Sequence, residues 1–324
     1  MTYMLRVRNV NQAFKEAWWW LNTTGVEEDS RAGPVLVAPG PVLTEYRKPC
    51  ERVLFNPVRD ANPVFHLMES IWMLAGRRHV GWLTPFSTRI AMYAEDTGNI
   101  HGAYGHRWRN HFGKDQLLEI ANTLKRDRAS RQAVLQMWDP EQDLGGIWRD
   151  RPCNTAVYFD CRGDHLNMTV TCRSNDMLWG AYGANAVHFS VLQEVMAGAV
   201  DLPVGVYRQF SNNFHVYREN QQVKHFLQHP PYDDFDAYTH SAVPVIPIME
   251  RHERLFDFLE DCERFVNGSV GVRNGWLRQV AAPLRDAYLD RRAGRVWSID
   301  KVPDCDWKLA FTQWIERRTS NESK

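Results

Sequence analysis

The chain has 324 residues, of which 44% are hydrophobic and 12% aromatic, so it can bury a sizeable core as one large domain or two ordinary ones. Its 39 basic side chains balance its 39 acidic ones, which excludes a global electrostatic field for nucleic acid or an anionic membrane. The sequence has no apolar run of the roughly 18 to 20 residues that span a bilayer and no signal-peptide pattern, so we expect a cytoplasmic protein.

The six cysteines are scattered along the chain, with no CxxC pair and no histidine cluster at metal-ligand spacing. This pattern argues against both a disulfide framework and a zinc site. We therefore expect reduced thiols, at most one or two of which have a chemical task, and no bound metal.

The first half of the chain predicts two helices. Residues 10–22 place apolar side chains at helical spacing, and a loop carrying Arg31 follows. The second helix is predicted from Asn62 as its N-cap and Pro63 in the first helical position, and Gly76 is its stop signal.

The second half predicts strands mixed with helices. Residues 132–138 are short, apolar and ended by Asp-Pro, which favours a strand. The runs TAVYFDC and HLNMTVTCR flank the tripeptide RGD, and the second run alternates apolar with polar residues, which predicts a hairpin with one polar face. A helix ending at Gly198, an extended segment over 205–217 and a late helix over 255–268 follow.

The order of these elements indicates the fold class. Strands and helices alternate without the regular rhythm of a doubly wound βαβ fold. No repeat and no Pro/Gly/Ser-rich linker divides the chain. We predict an α+β fold in a single domain over residues 1–316, followed by a disordered polar tail over residues 317–324.

Cys153 follows Arg151 and Pro152 at the start of a predicted strand. A cysteine taken alone is most often an inert core thiol. A neighbouring cation would lower the pKa of the thiol and make it a nucleophile, and Arg173 on the hairpin could supply that charge. The sequence pattern leaves both interpretations open.

Several other polar residues also have two interpretations. Glu69 lies beside an apolar helical stripe, either as a rim residue or as an acid that transfers protons. A further set is either exposed to solvent or forms a phosphate clamp, because guanidinium groups bind oxyanions in bidentate pairs. Its members are Arg31, Arg131, Arg173 and Ser174.

Two pairs complete the candidate residues. Asn185 and Asn213 either serve turns or present a carboxamide, whose donor and acceptor match the imide edge of uracil. His215 and Tyr217 share one face of a predicted strand, either as ordinary half-buried residues or as part of a site.

These residues occur in motifs that resemble the thymidylate synthase family, in order along most of the chain. Any one motif is weak, but their order and spacing together are specific. The matching segments are SRAG, FHLMESIWMLAG, GAYGHRWR, SRQAVLQMW, RPCN, CRSND, GAN and NNFHVY.

The resemblance implies a mixed β-sheet flanked by helices and a homodimer formed through the sheet. It also implies that the Cys153 thiolate adds to C6 of a pyrimidine nucleotide, after which C5 captures the one-carbon unit of 5,10-methylenetetrahydrofolate. Glu69 would organise water and move protons. Tyr104 would help to remove the C5 proton, and Asp176 would contact the folate.

The resemblance assigns the phosphate clamp to a deoxynucleotide. Arg31, Arg173 and Ser174 would hold its 5′-phosphate. Arg131 would reach in from the partner subunit of the homodimer.

The base and the sugar are assigned in the same way. Asn185 would read the base edge, and His215 and Tyr217 would hold the 3′-hydroxyl group. Asn213, from the same motif, joins this substrate-binding set.

Departures from the synthase pattern favour a different ending of the reaction. Asn154 stands where the synthases have histidine, one extra residue separates Asp176 from Asn185, and the synthase tail over the folate has no counterpart. Ile90 stands at the position of a tryptophan that shields the exocyclic methylene intermediate, so it is expected to border the folate and to admit water. Water in place of a folate hydride gives a 5-hydroxymethyl nucleotide, as in the phage and bacterial hydroxymethylase branch.

The leading hypothesis is a deoxyuridylate hydroxymethylase in a bacterial cell, with a phage as one possible source, because family members acting on cytosine can carry Asp in place of Asn185. The alternatives within the family are a deoxycytidylate hydroxymethylase and a synthase or methylase that makes the 5-methyl product. From other classes, a thiol hydrolase using Cys153 and His215 and a non-catalytic nucleotide-binding protein remain open.

Overall fold

The computed structural model describes residues 2–30, 32–229, 236–250 and 252–322. Within these ranges the chain forms ten strands: β1 Tyr3–Val7, β2 Val26–Ser30, β3 Gly33–Val37, β4 Val42–Tyr46, β5 Val134–Gln136, β6 Asn154–Arg162, β7 His165–Cys172, β8 Asn175–Asp176, β9 Val204–Ser211 and β10 Phe214–Tyr217.

The same ranges contain eleven α-helices: α1 Val10–Thr24, α2 Pro63–Leu74, α3 Tyr104–His106, α4 Gln116–Arg126, α5 Pro140–Asp143, α6 Asn185–Ala199, α7 Gln221–Gln228, α8 Ala237–His240, α9 Leu255–Val266, α10 Ala282–Arg292 and α11 Asp306–Glu322. Wider π-helical turns follow α3 and precede α6 and α10, over Arg107–His111, Met177–Ala184 and Leu277–Ala281. Short 3₁₀ turns cover Val80–Trp82 and Thr88–Tyr93.

The strands form two mixed sheets. The larger sheet has the order β1-β4-β9-β7-β6-β5, and the smaller has the order β2-β3-β10-β8. Strand β7 runs antiparallel to β6 and parallel to β9. Helix α6 is buried over almost its whole length and packs against β7, β9 and α2. The predicted α+β fold with a mixed sheet and flanking helices is therefore confirmed.

The predicted hairpin is formed by β6 and β7. Gly163 and Asp164 connect the strands, and both have φ near +58°, as the two-residue turns that match the twist of a hairpin require. Asn154 pairs with Cys172 at the other end of the ladder. The residues immediately beyond that pair, Cys153 and Arg173, consequently lie side by side.

Helix α2 begins and ends where the sequence predicts. The side chain of Asn62 accepts a hydrogen bond from the backbone N–H of Phe65, and Pro63 occupies the first turn. Gly76 follows the helix with φ +67°, a conformation that side chains with a Cβ rarely adopt. The helix, which packs against α6, therefore holds Glu69 in a fixed position beside that helix.

Two sequence expectations differ from the structure. The segment after α1 contains the antiparallel strands β2 and β3 rather than a loop, and Arg31 itself lies outside the described residues. Residues 317–322 continue α11 instead of beginning a disordered tail, because Arg317 and Arg318 form ion pairs with Asp60. Residues 323–324 lie outside the described residues.

Candidate active site

The Cys153 thiol lies half-buried just before β6, beside Arg173. The Arg173 Nη2 atom is 3.8 Å from Cys153 Sγ. Burial raises the pKa of this thiol above its usual value, while the positive charges of Arg173 and Arg151 oppose the increase. The expectation of a neighbouring cation is met, but the free chain holds the thiol in its protonated form at neutral pH.

Arg173 is held at the edge of the site while its guanidinium group stays exposed. Its Nε donates to the carbonyl oxygen of Pro152 at 2.9 Å, and its backbone N–H donates to the carbonyl oxygen of Cys153 at 2.8 Å. The guanidinium carbon lies 5.5 Å from the ring centre of Trp138. A fixed, exposed guanidinium next to a thiol is suited to binding an anionic group of a ligand.

The Tyr104 hydroxyl oxygen accepts three hydrogen bonds from the start of β6. The donors are the backbone N–H groups of Cys153 and Asn154 and the Asn154 carboxamide, each at 3.0 Å. Burial raises the pKa of Tyr104 well above its usual value, so the phenol keeps its proton. Gly105 allows α3 to approach α2, because a Cβ there would lie 2.0 Å from the carbonyl oxygen of Met73.

A chain of buried carboxamides continues from Tyr104. Asn154 Nδ2 donates to Asn185 Oδ1 at 3.0 Å, and Asn185 Nδ2 donates to Asn175 Oδ1 at 3.1 Å. Asn175 Nδ2 then donates to Ser211 Oγ at 2.9 Å. Because each carboxamide fixes the donor and acceptor ends of the next, Asn185 has one defined orientation.

One cavity of about 180 Å³ collects four of the predicted residues, Glu69, Ile90, Tyr104 and Asn185. They come from α2, the 3₁₀ turn, α3 and α6, which are far apart in sequence. The other polar residues of the lining are Trp72, Tyr93, Asp150 and His188. A predicted base reader, a predicted acid and a predicted shielding position therefore face the same space.

Two acidic groups of this region differ in their surroundings. Asp150 lines the cavity, and burial raises its pKa to about 6 against the opposing effects of the Gly102 backbone and nearby arginines. Asp176 caps the π-helical turn before α6 by accepting from the Trp179 N–H at 2.6 Å. Burial raises the pKa of Asp176 to about 6 as well, although this bond and Arg59 lower it.

Strand β10 places the predicted sugar-binding residues. His215 Nδ1 lies 2.7 Å from Asn213 Oδ1, and the ring centres of His215 and Tyr217 are 5.3 Å apart. Burial lowers the pKa of His215, which keeps the imidazole neutral at pH 7. Within the described residues no hydrogen bond joins the Cys153 thiol to a histidine, an arrangement that a thiol hydrolase would use.

The other residues of the predicted phosphate clamp lie in separate segments of the chain. Ser174 is half-buried between β7 and β8, close in sequence to Arg173. Arg131 is exposed and precedes β5, the edge strand of the larger sheet. Arg31 lies outside the described residues.

Sequence reasoning missed three residues of the site. They are Asn154, which contacts Asn185, His188, which contacts Glu69, and Asp150, the second carboxyl group of the cavity. Asn154 was seen only as a departure, and Asp150 not at all. His188 carried a usable signal, because it follows Asn185 by three residues and so lies one helical turn along the same face. Its contact with Glu69 is long-range and appears only in the fold.

Comparison with known proteins identifies the family. The sequence profile described as Thymidylate synthase matches residues 59–249. The chain is also 43% identical over 335 residues to the "Deoxyuridylate hydroxymethyltransferase" of Pseudomonas phage M6, and this match covers 97% of this chain and 94% of the relative. The chain belongs to the thymidylate synthase family.

Other members of the thymidylate synthase family match less extensively. The "Deoxyuridylate hydroxymethyltransferase" of Bacillus phage SP01 is 31% identical over 76% of this chain and 68% of its own length. The crystal structure of thymidylate synthase from T4 phage has the same fold, with a TM-score of 0.58 and 20% identity over 76% of this chain and 90% of that one. The predicted family and its class of one-carbon transferase are thereby confirmed. Among the described residues, no helix has the length and apolar character needed to cross a membrane.

Proposed function

We propose that this member of the thymidylate synthase family converts deoxyuridylate to 5-hydroxymethyldeoxyuridylate, with 5,10-methylenetetrahydrofolate as cosubstrate. The observation that carries the proposal is the match along nearly the whole of both chains to a relative named a deoxyuridylate hydroxymethyltransferase. The cavity supports it, because a fixed carboxamide, a protonated phenol and a carboxylate face the space next to a thiol.

The nucleophile in this proposal is Cys153. Its thiolate adds to C6 of the pyrimidine, and the electron pair displaced from the C5–C6 double bond makes C5 a carbon nucleophile. Burial disfavours the thiolate in the free chain. Arg173 stabilises the thiolate when the nucleotide binds and water leaves the site.

Nucleotide recognition is divided between the two ends of the substrate. Arg173 and Ser174 bind the 5′-phosphate together with Arg31, and Arg131 completes this clamp from the partner subunit of a homodimer. Asn185 presents a donor and an acceptor to the O4 and N3 edge of uracil, in the orientation that Asn154 and Asn175 impose.

The sugar is bound by residues on and next to β10. His215 and Tyr217 lie on one face of β10 and hold the 3′-hydroxyl group. Asn213 fixes the His215 ring through its 2.7 Å contact. The low pKa of His215 allows a neutral imidazole to accept a hydrogen bond from that hydroxyl.

The folate supplies the one-carbon unit at the level of formaldehyde, and no hydride transfer is needed for a hydroxymethyl product. Residues around the cavity are consistent with a reaction that ends with addition of water. Ile90 borders the cavity with an aliphatic side chain, which leaves room for a water molecule beside C5. Tyr104 assists loss of the C5 proton, and Asp176 contacts the pterin.

Product analysis tests this function. The protein is incubated with methylenetetrahydrofolate and, separately, dUMP, dCMP or CMP, and the products are identified by mass spectrometry. We expect 5-hydroxymethyl-dUMP and tetrahydrofolate, with much slower turnover of the cytosine nucleotides. A 5-methyl product accompanied by dihydrofolate would contradict the proposal. Faster turnover of dCMP than of dUMP would identify dCMP as the substrate instead.

A further inference from the structure

Glu69 of α2 and His188 of α6 meet at the wall of the active-site cavity. Glu69 Oε2 lies 3.2 Å from His188 Nε2, and the two side chains are 15% and 5% exposed. Both residues line the cavity. The helices that carry them pack directly against each other. The carboxylate and the imidazole are therefore held together within reach of a bound reactant.

A second imidazole, His66, lies one helical turn before Glu69. Its ring centre is 5.9 Å from that of His188. Burial, and then the proximity of His188 and Arg59, lowers the pKa of His66 well below its usual value. His66 is thus neutral at pH 7, and among the described residues its Nδ1 has no hydrogen-bond partner. The contact between Glu69 Oε2 and His188 Nε2 is therefore the path along which a proton can pass within this cluster.

The proposed reaction requires a group that takes a proton from water. Once the one-carbon unit is on C5 and tetrahydrofolate has left, the nucleotide carries an exocyclic methylene group and is still bonded to Cys153. Neutral water adds slowly to such a carbon, and a positioned base accelerates the addition. The base must face the cavity and be able to pass the proton on.

We propose that His188 is a positioning residue for this hydration step, holding Glu69 toward the water and accepting the proton that Glu69 removes. The inference rests on the proposed function and deepens it. The water oxygen bonds to the methylene carbon, and the methylene π electrons move through C5 to O4. The resulting enolate restores the C5–C6 double bond and expels the Cys153 thiolate. The water proton passes to Glu69 and then to His188 Nε2, so no oxidant or reductant is needed.

Asp150 is the other carboxyl group of the cavity and provides a matched comparison. It lines the same space. Among the described residues, however, it has no ion pair or hydrogen bond to a histidine, whereas Glu69 does. A carboxylate without such a partner returns its proton to the water it has activated, so the pair is better suited to this step.

The experiment separates the two halves of the reaction. In a single turnover, with the protein in excess over [5-³H]dUMP and with methylenetetrahydrofolate present, the rate of tritium release reports one-carbon transfer and loss of the C5 proton, and mass spectrometry reports formation of the hydroxymethyl product. For His188→Gln, which can hydrogen-bond Glu69 but accepts no proton, we expect tritium release to stay near the unsubstituted rate. Hydroxymethyl product should fall by about 100-fold.

Three further measurements complete the test. Added 2-mercaptoethanol should trap the accumulated methylene intermediate of His188→Gln as a thioether, and free imidazole should restore product in His188→Ala. For Asp150→Asn the ratio of product to tritium release should stay unchanged. Equal falls of both signals in His188→Gln, or a changed ratio in Asp150→Asn alone, would overturn the assignment.

Two other outcomes are distinguishable. If the unsubstituted protein releases no tritium, the proposed function fails and this inference fails with it. The residues His66, Glu69 and His188 also place one potential ligand atom each within 4.8 Å of one another. If a stoichiometric metal ion is bound and its removal by EDTA abolishes hydroxymethyl product, these residues are metal ligands and the assignment of a proton-transfer pair is wrong.

Discussion

The two walls of the cavity differ in how their polar groups are satisfied. On one wall, called the strand wall because it begins at β6, hydrogen bonds run without a break from the Cys153 backbone through Tyr104, Asn154 and Asn185 to Asn175, although Asn154 Oδ1 has no partner within the described residues. On the other wall, called the helix wall because it carries Glu69 and nearby His66 of α2 and His188 of α6, His66 Nδ1 and His188 Nε2 are buried and make no hydrogen bond within the described residues, although His188 Nε2 lies 3.2 Å from Glu69 Oε2. A continuous hydrogen-bonded network holds its groups in one orientation, whereas a buried nitrogen without a partner is costly and calls for an explanation. We infer that the strand wall binds the nucleotide, orients it and assists loss of its C5 proton, and that the helix wall transfers the proton of the attacking water.

The largest effect is expected at the Cys153 thiol, the proposed nucleophile of the strand wall. Cys153→Ala should abolish product, because no covalent bond to C6 can form. Nucleotide affinity should remain within about twofold, since the substitution removes no ligand-binding donor. Turnover assays and calorimetric titration with dUMP measure the two quantities, and residual turnover would show that another group is the nucleophile.

Tyr104→Phe tests whether the strand wall depends on its hydroxyl group. The substitution leaves the three donors at Cys153 and Asn154 without their acceptor, which should cost about 1–3 kcal/mol in the free energy of unfolding. Loss of the proton-transfer group should lower kcat by about 100-fold. Chemical denaturation and steady-state kinetics check both effects.

A matched variant is available in the core. Tyr46 is also a buried tyrosine, but its hydroxyl has no hydrogen-bond partner within the described residues. Tyr46→Phe should therefore change the free energy of unfolding by less than about 0.5 kcal/mol and leave kcat unchanged. Equal effects of the two substitutions would remove the distinction between a network hydroxyl and an ordinary one.

Asn154→Ala sharpens the comparison within the strand wall. It removes the donor to Asn185 Oδ1, so that only the bond to Asn175 still orients this carboxamide toward the base. We expect kcat/KM for dUMP to fall about tenfold, which corresponds to about 1.4 kcal/mol, and the preference for dUMP over dCMP to narrow. An unchanged ratio of kcat/KM for the two nucleotides would assign base selection to other residues.

The smallest effect concerns the pKa of the thiol. Because burial raises the pKa of Cys153, its alkylation by iodoacetamide should be slow at pH 7 and accelerate as the pH rises past 9. Arg173→Gln removes the cation that stabilises the thiolate, so the alkylation profile should shift to still higher pH. Mass spectrometry of the Cys153 peptide measures the rates, and the buried Cys262 serves as an unreactive control. A shift toward lower pH in Arg173→Gln would contradict the assigned role.

Local sequence signals predicted the elements that carry the site. Asn62, Pro63 and Gly76 specify α2, and the turn at Gly163 specifies the hairpin that sets Cys153 beside Arg173. Cap, turn and alternation patterns are properties of neighbouring residues, so they can be read without the fold.

Other features depend on distant contacts and could not be predicted in this way. Strand β2 has the sequence VEEDS and is exposed along its length, so it lacks the alternation that marks a half-buried strand. The end of α11 is stabilised by Asp60, far away in the chain. The meeting of Glu69 with His188 likewise requires α2 and α6 to pack together, which no local pattern reports.

The most direct test of the account is covalent trapping with 5-fluorodeoxyuridylate and methylenetetrahydrofolate, followed by peptide mapping. Fluorine at C5 cannot leave as the C5 proton does, so the reaction should stop with nucleotide and folate both attached to the protein. The account predicts a stable ternary adduct whose mass maps to Cys153. Saturating nucleotide binding without an adduct, or an adduct at another cysteine, would contradict it.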